Sequence, residues 1–278
     1  DRVVTWDPAQ PRWKELLRLS SLLRREQYDV AIDLQNSRFT HLLAALSCPK
    51  KSIGVDRKYG NLLDERVDYD RVRGLSPLES QKTIMASLGI DDMAQPGLIA
   101  DESLRMRLKK QIESCLGKRR LVVINMGASA AWKTKTPSVE VITAVAGHCI
   151  RRHGAGVVLV GTAAHARTAA TVAASMPEDV LDLCAKTGIP ELIALISLAA
   201  ALITPDSAPL HIATALAVPA VAFFGPTSPA RHVDPDADVR IVRREIACLG
   251  CYKKDCARKD CMKFSLDEIQ GHIDAVLA

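Results

Sequence analysis

The sequence predicts an α/β protein built on parallel β-sheets, and three observations lead to this prediction. Short apolar runs alternate with helical patterns along the chain, hydrophobic residues make up 48% of its 278 residues, and aromatic residues make up only 4%. A core of Ala, Val, Leu and Ile suits helices packed on buried parallel strands better than a β-sandwich. Charged residues at 25% complete a composition that excludes disordered and collagen-like chains. The length fits two domains of ordinary size.

The first third of the chain shows the same alternation with fewer strand and helix patterns. It contains a helical pattern over Pro11–Arg25, a strand-like run over Tyr28–Leu34, a second helix ending near Leu46 and a strand over Lys51–Val55. We therefore predict an N-terminal domain over residues 1–117, in which the polar stretch from residue 89 to 117 is the passage to the next domain. Because each βαβ unit takes roughly 30 residues or more, we expect this domain to lack its first βα unit in the present chain.

A more regular alternation over residues 118–278 predicts the second domain. The predicted strands are Leu121–Asn125, Gly156–Val160, Val180–Leu183, Ala200–Thr204 and Pro219–Phe224, and the predicted helices are Ser138–Arg152, Ala163–Ser175, Pro190–Ala199 and Ser207–Ala217. Serial βαβ units form a parallel sheet covered on both faces. A last helical pattern, Ser265–Leu277, has Ser265 as its N-cap, and we expect it to return to the first domain.

The segment after the strand that ends at Thr204 is the strongest local indication of a ligand site. A polar turn containing Asp206 and Ser207 leads directly into a helix that includes Ala208 and, near the same end, His211. Ligands of open α/β sheets bind at the carboxyl ends of strands, and a helix N-terminus offers free N–H groups to phosphate. The alternative is that Asp206 or Ser207 only caps the helix, as both residue types commonly do.

A second turn of this kind follows the strand Leu121–Asn125. In it Gly127 permits close approach of the backbone, while Ser129, Lys133 and Lys135 supply a hydroxyl and two cations for phosphate oxygens. The turn matches neither the G-x-G-x-x-G fingerprint nor the P-loop, so the sequence supports neither an ordinary dinucleotide-dependent dehydrogenase nor a P-loop NTPase.

A third turn, containing Gly225, Pro226 and Thr227, follows the strand that ends at Phe224. Because the carboxyl ends of parallel strands meet at one edge of a sheet, we expect the three turns to converge on a common site.

Positive charge is concentrated near the end of the chain. The formal net charge of +5 is too small to require nucleic acid or a membrane as partner. Eight basic and three acidic residues nevertheless lie between Arg240 and Lys263, which we call the basic segment. We expect it to face an anionic lipid headgroup or a phosphorylated acceptor, and the alternative is that it is only a solvated face. No apolar run reaches the roughly 18–20 residues that span a bilayer, so we expect a cytoplasmic protein.

Four of the eight cysteines lie inside the basic segment, at Cys248, Cys251, Cys256 and Cys261. This spacing resembles a zinc knuckle with Cys at the usual His position, so a structural Zn²⁺ site is one interpretation. With Tyr252 and the neighbouring lysines it is also the pattern of a reader of single-stranded nucleic acid. The third interpretation is that the four cysteines are free thiols, or form disulfides, with a structural role or none.

Several of these segments together resemble the heptosyltransferases, glycosyltransferase family nine. The family pattern D-[ST]-G-x-x-H followed by F-G-P-T is similar to Asp206–His211 and Phe224–Thr227, and its G-A-S and K-R-W-P motifs are similar to Gly127–Ser129 and Lys135–Pro137. The run Tyr28–Gln35 is similar to the N-terminal half of the family. Ala208 stands where the family has Gly, and Thr136 where it has an aromatic residue.

The resemblance implies a GT-B architecture, in which two Rossmann-like domains face a cleft and the C-terminal one holds a nucleotide sugar. It implies an inverting transfer of heptose from an ADP-activated donor to the lipopolysaccharide inner core, with no metal required for catalysis. Asp206 would contact the donor sugar or its phosphates, the N–H groups of Ser207 and Ala208 would hold the diphosphate, and Lys135 with Ser129 would neutralise the leaving ADP.

The resemblance also implies a general-base Asp in the first βα unit, which we expect to be absent here, so no catalytic base is assigned. Other interpretations stay open: a different nucleotide-sugar transferase of the same fold, a zinc-knuckle protein that binds nucleic acid, and an inactive fragment that binds nucleotide.

Overall fold

The structure is a computed structural model that describes residues 2–91 and 97–278, and the chain divides into two compact units, Asp1–Ala94 and Gln95–Ala278. The division comes earlier than the predicted boundary between residues 117 and 118. The reason is that the polar stretch after residue 100 is a helix, Glu102–Leu116, whose residues Leu108 and Ile112 are buried in the core of the second unit. Residues 92–96 of the predicted passage lie outside the described residues.

The first unit holds a small parallel sheet. Its elements are α1 (Arg12–Glu26), β1 (Val30–Ile32), α2 (Arg38–Ser47), β2 (Lys51–Asp56), β3 (Glu65–Asp68), α3 (Tyr69–Val72) and α4 (Pro77–Ala86). The strands lie in the order β1-β2-β3, and the predicted strand at Lys51 and both predicted helices are present. Sequence analysis did not predict β3, α3 or α4. The last begins at a capping box in which the Ser76 hydroxyl and the Glu79 carboxylate satisfy each other's backbone N–H groups.

The second unit is a doubly wound α/β domain, as predicted. Its elements are α5 (Glu102–Leu116), β4 (Leu121–Asn125), α6 (Val139–His153), β5 (Gly156–Val160), α7 (Ala166–Ser175), β6 (Val180–Asp182), α8 (Ile189–Ile196), β7 (Ala201–Pro205), α9 (Ala208–Ala215), β8 (Ala220–Phe224), β9 (Val239–Arg243) and α10 (Gln270–Leu277). The sheet has the order β6-β5-β4-β7-β8-β9, and all its neighbouring strands are parallel.

Alternate residues of the strands serve two apolar cores, one on each face of this sheet. In β4, Val122 and Ile124 pack with α6, α7 and α10, whereas Leu121 and Val123 pack with α5, α8 and α9. This period-two pattern explains why every residue of β4 is buried and why the strand reads as a continuous apolar run. The edge strand β9 was not predicted, because its sequence VRIVR alternates charged and apolar residues and is half exposed.

The final helix belongs to the second unit, contrary to the expected return to the first domain. Ile273 and Leu277 of α10 are buried in the core on the α6 face, and the guanidinium of Arg120 donates to the carbonyl of Leu277. The helix also begins later than predicted, at Gln270, and the predicted cap Ser265 donates its backbone N–H and its hydroxyl to the Glu268 carboxylate.

In residues 2–91 and 97–278, no helix is long and apolar enough to cross a membrane.

Candidate functional site

A pocket opens at the carboxyl edge of the six-stranded sheet, where β4 and β7 lie side by side. From β4 the chain winds outward to β5 and β6, and from β7 it winds the other way to β8 and β9, so this is the switch point where open α/β sheets form their ligand crevice. The pocket has a volume of about 480 Å³, which lies in the range of small-molecule sites. It is lined by Asn125, Gly127, Ala128, Ser129, Trp132, Lys135, Val160, Gly161, Thr162, Ala185, Thr187, Gly188, Ile189, Leu192, Asp206, Ser207, Ala208 and Pro209.

Asn125 joins the ends of the two strands at the floor of the pocket. Its side-chain amide nitrogen lies 3.0 Å from the hydroxyl of Thr204 and 2.9 Å from that of Ser207. The same nitrogen lies 2.9 Å from the carbonyl oxygen of Gly127. The first two turns predicted from the sequence are therefore held together by one buried side chain. Sequence analysis treated Asn125 only as a strand end.

The first and third predicted turns meet at the carboxylate of Asp206. One oxygen, Oδ2, accepts hydrogen bonds from the Lys135 ammonium at 2.7 Å and from the Thr227 hydroxyl at 2.6 Å. The Asp206 side chain is only 4% exposed and that of Lys135 11%. Burial of Asp206 opposes ionisation, but the bonds from Lys135 and Thr227 outweigh it, and they hold the pKa of the carboxyl below its usual value. The pocket wall thus contains a buried ion pair.

The ammonium of Lys135 has a second neighbour in the aromatic ring of Trp132. Its Nζ lies 4.4 Å from the ring centroid, within the range of a cation–π contact. Both residues belong to the turn after β4, where Lys135 ends a short 3₁₀ helix. The charge of Lys135 is therefore held at one position of the pocket wall.

Helix α9 begins at the pocket with its first turn free of a side-chain cap. Ser207 stands at the N-cap position, but its hydroxyl donates to the Pro205 carbonyl at 3.1 Å and makes no hydrogen bond to the helix amides. The alternative that Ser207 simply caps the helix is therefore wrong. Ala208, the first residue of the helix, lines the pocket, so the positive end of the helix dipole faces the pocket.

The opposite wall comes from the ends of β5 and β6, and sequence analysis did not find it. It combines the apolar side chains of Val160, Ile189 and Leu192 with the turns at Thr162 and Gly188. The available signal was the position of these turns directly after predicted strands, the same rule that identified the other three. The lining therefore combines this partly apolar wall with the charge and hydrogen-bond donors of the turns after β4 and β7.

Gly127 is required by close packing at the turn after β4. A Cβ at this position would lie 2.5 Å from Nε2 of His165 and 2.9 Å from the Thr136 hydroxyl. His165 is itself held by Thr162, whose backbone N–H donates to its Nδ1 at 3.3 Å. Burial lowers the pKa of His165, which favours the neutral ring.

The basic segment packs against the turn after β8. The N–H of Gly250 donates to the Gly225 carbonyl at 2.9 Å, and the N–H of Tyr252 donates to the Pro226 carbonyl at 2.7 Å. A Cβ at Gly225 would lie 2.8 Å from the sulfur of Cys261. Gly225 is therefore a packing residue behind the pocket, and the pocket lining includes Lys135 and Asp206 but neither Gly225 nor Thr227.

The four cysteines of the basic segment are free thiols of unequal exposure. Cys248 and Cys251 are exposed, Cys256 is partly buried and Cys261 is buried. Burial, together with the neighbouring thiols, raises the pKa of Cys261. Among the described residues, the one group of three or more metal-ligand side chains with all ligand atoms within 4.8 Å of one another does not include these cysteines. The zinc site stays a prediction.

Two histidines near the pocket have different surroundings. His211, predicted as a site residue, is exposed on α9 and does not line the pocket. His232 was not predicted, and its Nε2 is buried with no hydrogen-bond partner among the described residues. Burial lowers the pKa of His232 against the opposing effect of the Asp206 charge. His232 is thus a second buried polar group beside the ion pair.

A family model described as glycosyltransferase family 9 (heptosyltransferase) matches residues 16–262 of the chain. The matched range includes all four cysteines of the basic segment, which are therefore part of the matched domain.

Similar curated proteins carry the same kind of name. The chain is 26% identical over 239 residues to lipooligosaccharide heptosyltransferase 2 of Haemophilus influenzae, an alignment that covers 80% of this chain and 68% of the relative. It is 38% identical over 88 residues to a lipooligosaccharide heptosyltransferase 2 of Campylobacter jejuni, covering 30% of this chain and 28% of that protein.

Solved structures share the fold over almost the whole chain. A glycosyltransferase family 9 protein of Veillonella parvula superposes with a TM-score of 0.79 at 19% identity, covering 99% of this chain and 81% of that one. The ADP-heptose lipopolysaccharide heptosyltransferase II of E. coli gives a TM-score of 0.74 at 23% identity, covering 95% and 81%. The E. coli heptosyltransferase WaaC, solved with ADP-2-deoxy-2-fluoro heptose, gives 0.65 at 16% identity, covering 96% and 78%. The predicted GT-B type of fold is thereby confirmed.

Proposed function

The chain belongs to glycosyltransferase family 9, the heptosyltransferases, and from this premise we propose that it transfers heptose from ADP-heptose to the lipopolysaccharide inner core with inversion of configuration. The observation that carries the proposal is the buried Lys135–Asp206 pair beside the start of α9, in one pocket with an apolar wall. This combination fits a ligand with a flat apolar base at one end and a diphosphate at the other.

The polar end of the pocket supplies what a departing diphosphate needs. Negative charge grows on the leaving nucleotide as the glycosidic bond breaks, and donors fixed in advance stabilise that charge in the transition state. An ammonium carries three N–H donors, of which Lys135 gives one to Asp206. We assign the remaining donors of Lys135, the Ser129 hydroxyl and the amides at Ser207 and Ala208 to the phosphate oxygens.

We propose that Asp206 positions Lys135, in addition to the contact with the donor that the resemblance implies. Its Oδ2 is already occupied by Lys135 and Thr227, so its first task is to orient the ammonium and balance its charge. Contact of the second carboxylate oxygen with the donor sugar remains part of the proposal. This assignment makes Asp206 a positioning residue for Lys135.

The apolar end of the pocket is assigned to the nucleobase. Val160, Ile189 and Leu192 offer side chains that pack against a flat ring. The WaaC structure was solved with an ADP-sugar analogue, and we propose an adenine nucleotide for this chain too.

The acceptor and the location of the protein are assigned from charge. Lys254 of the basic segment lies with its ammonium 5.5 Å from the ring of Trp132, which lines the pocket, and the Lys253 carbonyl accepts from the Thr134 hydroxyl at 2.7 Å. Positive charge therefore borders the donor pocket. We propose that it meets the anionic core of a lipopolysaccharide precursor at the cytoplasmic face of the inner membrane.

Calorimetric titration with nucleotides tests the donor assignment. Lys135→Gln removes the charge but retains an amide that donates to Asp206, and loss of the charged contact is expected to weaken ADP binding by about 1–3 kcal/mol. The loss should be smaller for AMP and absent for adenosine, because the contact is to the diphosphate. UDP and GDP, titrated in parallel, test the base assignment.

Lys133→Gln is the matched control, because Lys133, predicted from the sequence as a second cation for phosphate, does not line the pocket and has a side chain that is 69% exposed. It should leave ADP affinity unchanged. Equal effects of the two variants, or none, would contradict the proposal. Transfer of heptose from ADP-heptose to a heptose-deficient core, with the anomeric configuration of the product determined, tests the reaction itself.

A further inference from the structure

Two histidines and an aspartate converge where the end of α6 meets α10. Nε2 of His148 and Nε2 of His153 each lie 2.7 Å from the same oxygen, Oδ1 of Asp274. The two rings are 5.8 Å apart between centroids. In the described part of the chain, this is the one group of three or more His, Cys, Asp or Glu side chains with all ligand atoms within 4.8 Å of one another.

The chemistry of this group is that of a transition-metal site. Imidazole nitrogens with a carboxylate oxygen suit Zn²⁺ and related divalent ions, which bind them at about 2.0–2.2 Å. The histidine side chains are 12% and 14% exposed, whereas Asp274 is 42% exposed. The nitrogens are therefore held by packing, while the carboxylate side is open for an ion to enter with its remaining water ligands.

We propose that His148, His153 and Asp274 bind one divalent transition-metal ion of the Zn²⁺ class and so clip the last helix to α6. None of the three residues lines the nucleotide pocket, so this site is separate from the one proposed for the donor. Without an ion, Asp274 accepts from the two imidazoles. With an ion, both Nε2 lone pairs face the metal and the ring protons reside on Nδ1.

A metal ion bound at this cluster would add a third attachment to α10, which is otherwise held by its buried apolar side and at its C-terminal end. The apolar residues Ile273 and Leu277 anchor α10 in the core, and Arg120 holds its last carbonyl. A ligand that binds only the folded chain stabilises it by mass action. The ion should therefore raise the melting temperature of the chain.

The test uses the full chain, stripped with EDTA and titrated with Zn²⁺ by calorimetry, with thermal unfolding followed in parallel. We expect one equivalent to bind and the melting temperature to rise. Asp274→Asn and His153→Gln should each weaken binding by at least roughly tenfold, the scale on which changes around a metal site act. His272→Gln, a change of histidine on the same helix outside the cluster, should bind as the wild type does.

Two further measurements distinguish loss of metal binding at this cluster from loss of the fold and from metal binding by the cysteines. The apo melting temperatures of the variants show whether the fold survives, and Asp274→Asn retains an oxygen that accepts from an imidazole. Co²⁺ in place of Zn²⁺ gives near-ultraviolet thiolate charge-transfer bands if the cysteines bind it, and these are expected to be absent. Absence of stoichiometric binding, affinity unchanged by Asp274→Asn, or binding abolished by Cys248→Ser with Cys251→Ser would each overturn the proposal.

Discussion

Lys135 and Asp206 form a buried ion pair in the pocket wall. Neither charge would be stable there without the other. Ionised groups at low exposure carry a large desolvation cost, and removing one member of such a pair costs about 3–5 kcal/mol because the other charge remains buried. The Lys135 Nζ lies 2.7 Å from Oδ2 of Asp206, and both side chains are almost fully buried. For this reason a neutral replacement that still donates to Asp206 is a better probe of Lys135 than truncation to alanine.

Thr227 provides the second hydrogen bond to the Asp206 carboxylate, and Thr227→Val removes it with little change of shape. The folded-state pKa of Asp206 is lowered, so its ionised form adds stability above its ordinary pKa, and this contribution is lost as pH falls through the folded value. The variant brings the pKa back toward normal. We expect a loss of about 1–3 kcal/mol at pH 7.

The difference between wild type and Thr227→Val should shrink as pH falls below the ordinary pKa of Asp. It should be smallest below the lowered folded-state pKa of Asp206 in the wild type, where the carboxyl is protonated in both proteins. Urea unfolding at a series of pH values measures it. Thr143→Val is the control, because the Thr143 hydroxyl donates to a helix carbonyl and not to a titrating group. A loss independent of pH would show that the bond to Asp206 is not its source.

At the scale of elements, the site is made by turns that leave neighbouring parallel strands at one edge. The turns after β4 and β7 line the pocket, the turn after β8 reaches it through the Thr227 hydroxyl, and the turns after β5 and β6 form the opposite wall. Every residue of β4, β5, β7 and β8 is buried, and the exposed polar residues begin where these strands end. The strands therefore determine the position of the site, and the side chains of the turns determine which ligands it can bind.

The turn after β4 depends on the absence of a side chain at Gly127. Gly127→Ala places a methyl group 2.5 Å from the His165 ring, so the ring must leave its hydrogen bonds to Thr162. We expect a loss of stability of about 1–3 kcal/mol, the usual cost of overpacking, and weaker ADP binding. Thermal unfolding and calorimetry measure both.

Removal of the His165 ring in Gly127→Ala/His165→Ala should restore part of the stability lost in the single variant. Gly271→Ala serves as the control, because a Cβ there meets nothing within 4 Å and alanine favours the helix by up to about 1 kcal/mol. Additive effects of the two substitutions would mean that the ring and the methyl group do not collide.

At the scale of the whole molecule, the pocket proposed for the donor is contained in one compact unit. All residues that line it lie between Asn125 and Pro209, and the residues behind it reach to Cys261, within Gln95–Ala278. That unit has its own six-stranded sheet with an apolar core on each face. It has the parts of a domain that folds by itself.

We therefore expect the fragment Gln95–Ala278 to fold alone and to bind ADP with an affinity within a few fold of the full chain. Far-ultraviolet circular dichroism and cooperative thermal unfolding show whether it folds, and calorimetry gives the affinity. The fragment carrying Lys135→Gln is the control for specific binding. A folded fragment that does not bind ADP would show that the first unit contributes to the nucleotide site.

Much of the second unit was predictable because its local signals agree with its fold. The apolar runs from Leu121 to Phe224 are buried strands, and turn residues follow them directly, so the strands and three of the turns around the pocket could be found by pattern alone. The first unit was predicted less completely. Its strand β3 has the sequence ERVD, in which one apolar residue does not distinguish a strand from a loop.

The sequence by itself determined the fold class, the parallel sheet of the second unit and the residue types at its carboxyl edge. Only the tertiary structure decided that Lys135, Asp206 and Thr227 share one hydrogen-bonded oxygen, that Asn125 joins two strands, and that α10 packs on α6 to gather His148, His153 and Asp274. The physical reason is the separation along the chain over which each effect acts. Periodicity and turn chemistry act over a few neighbouring residues, whereas these contacts join residues far apart in the chain, and their geometry exists only once the sheet has set the strand order.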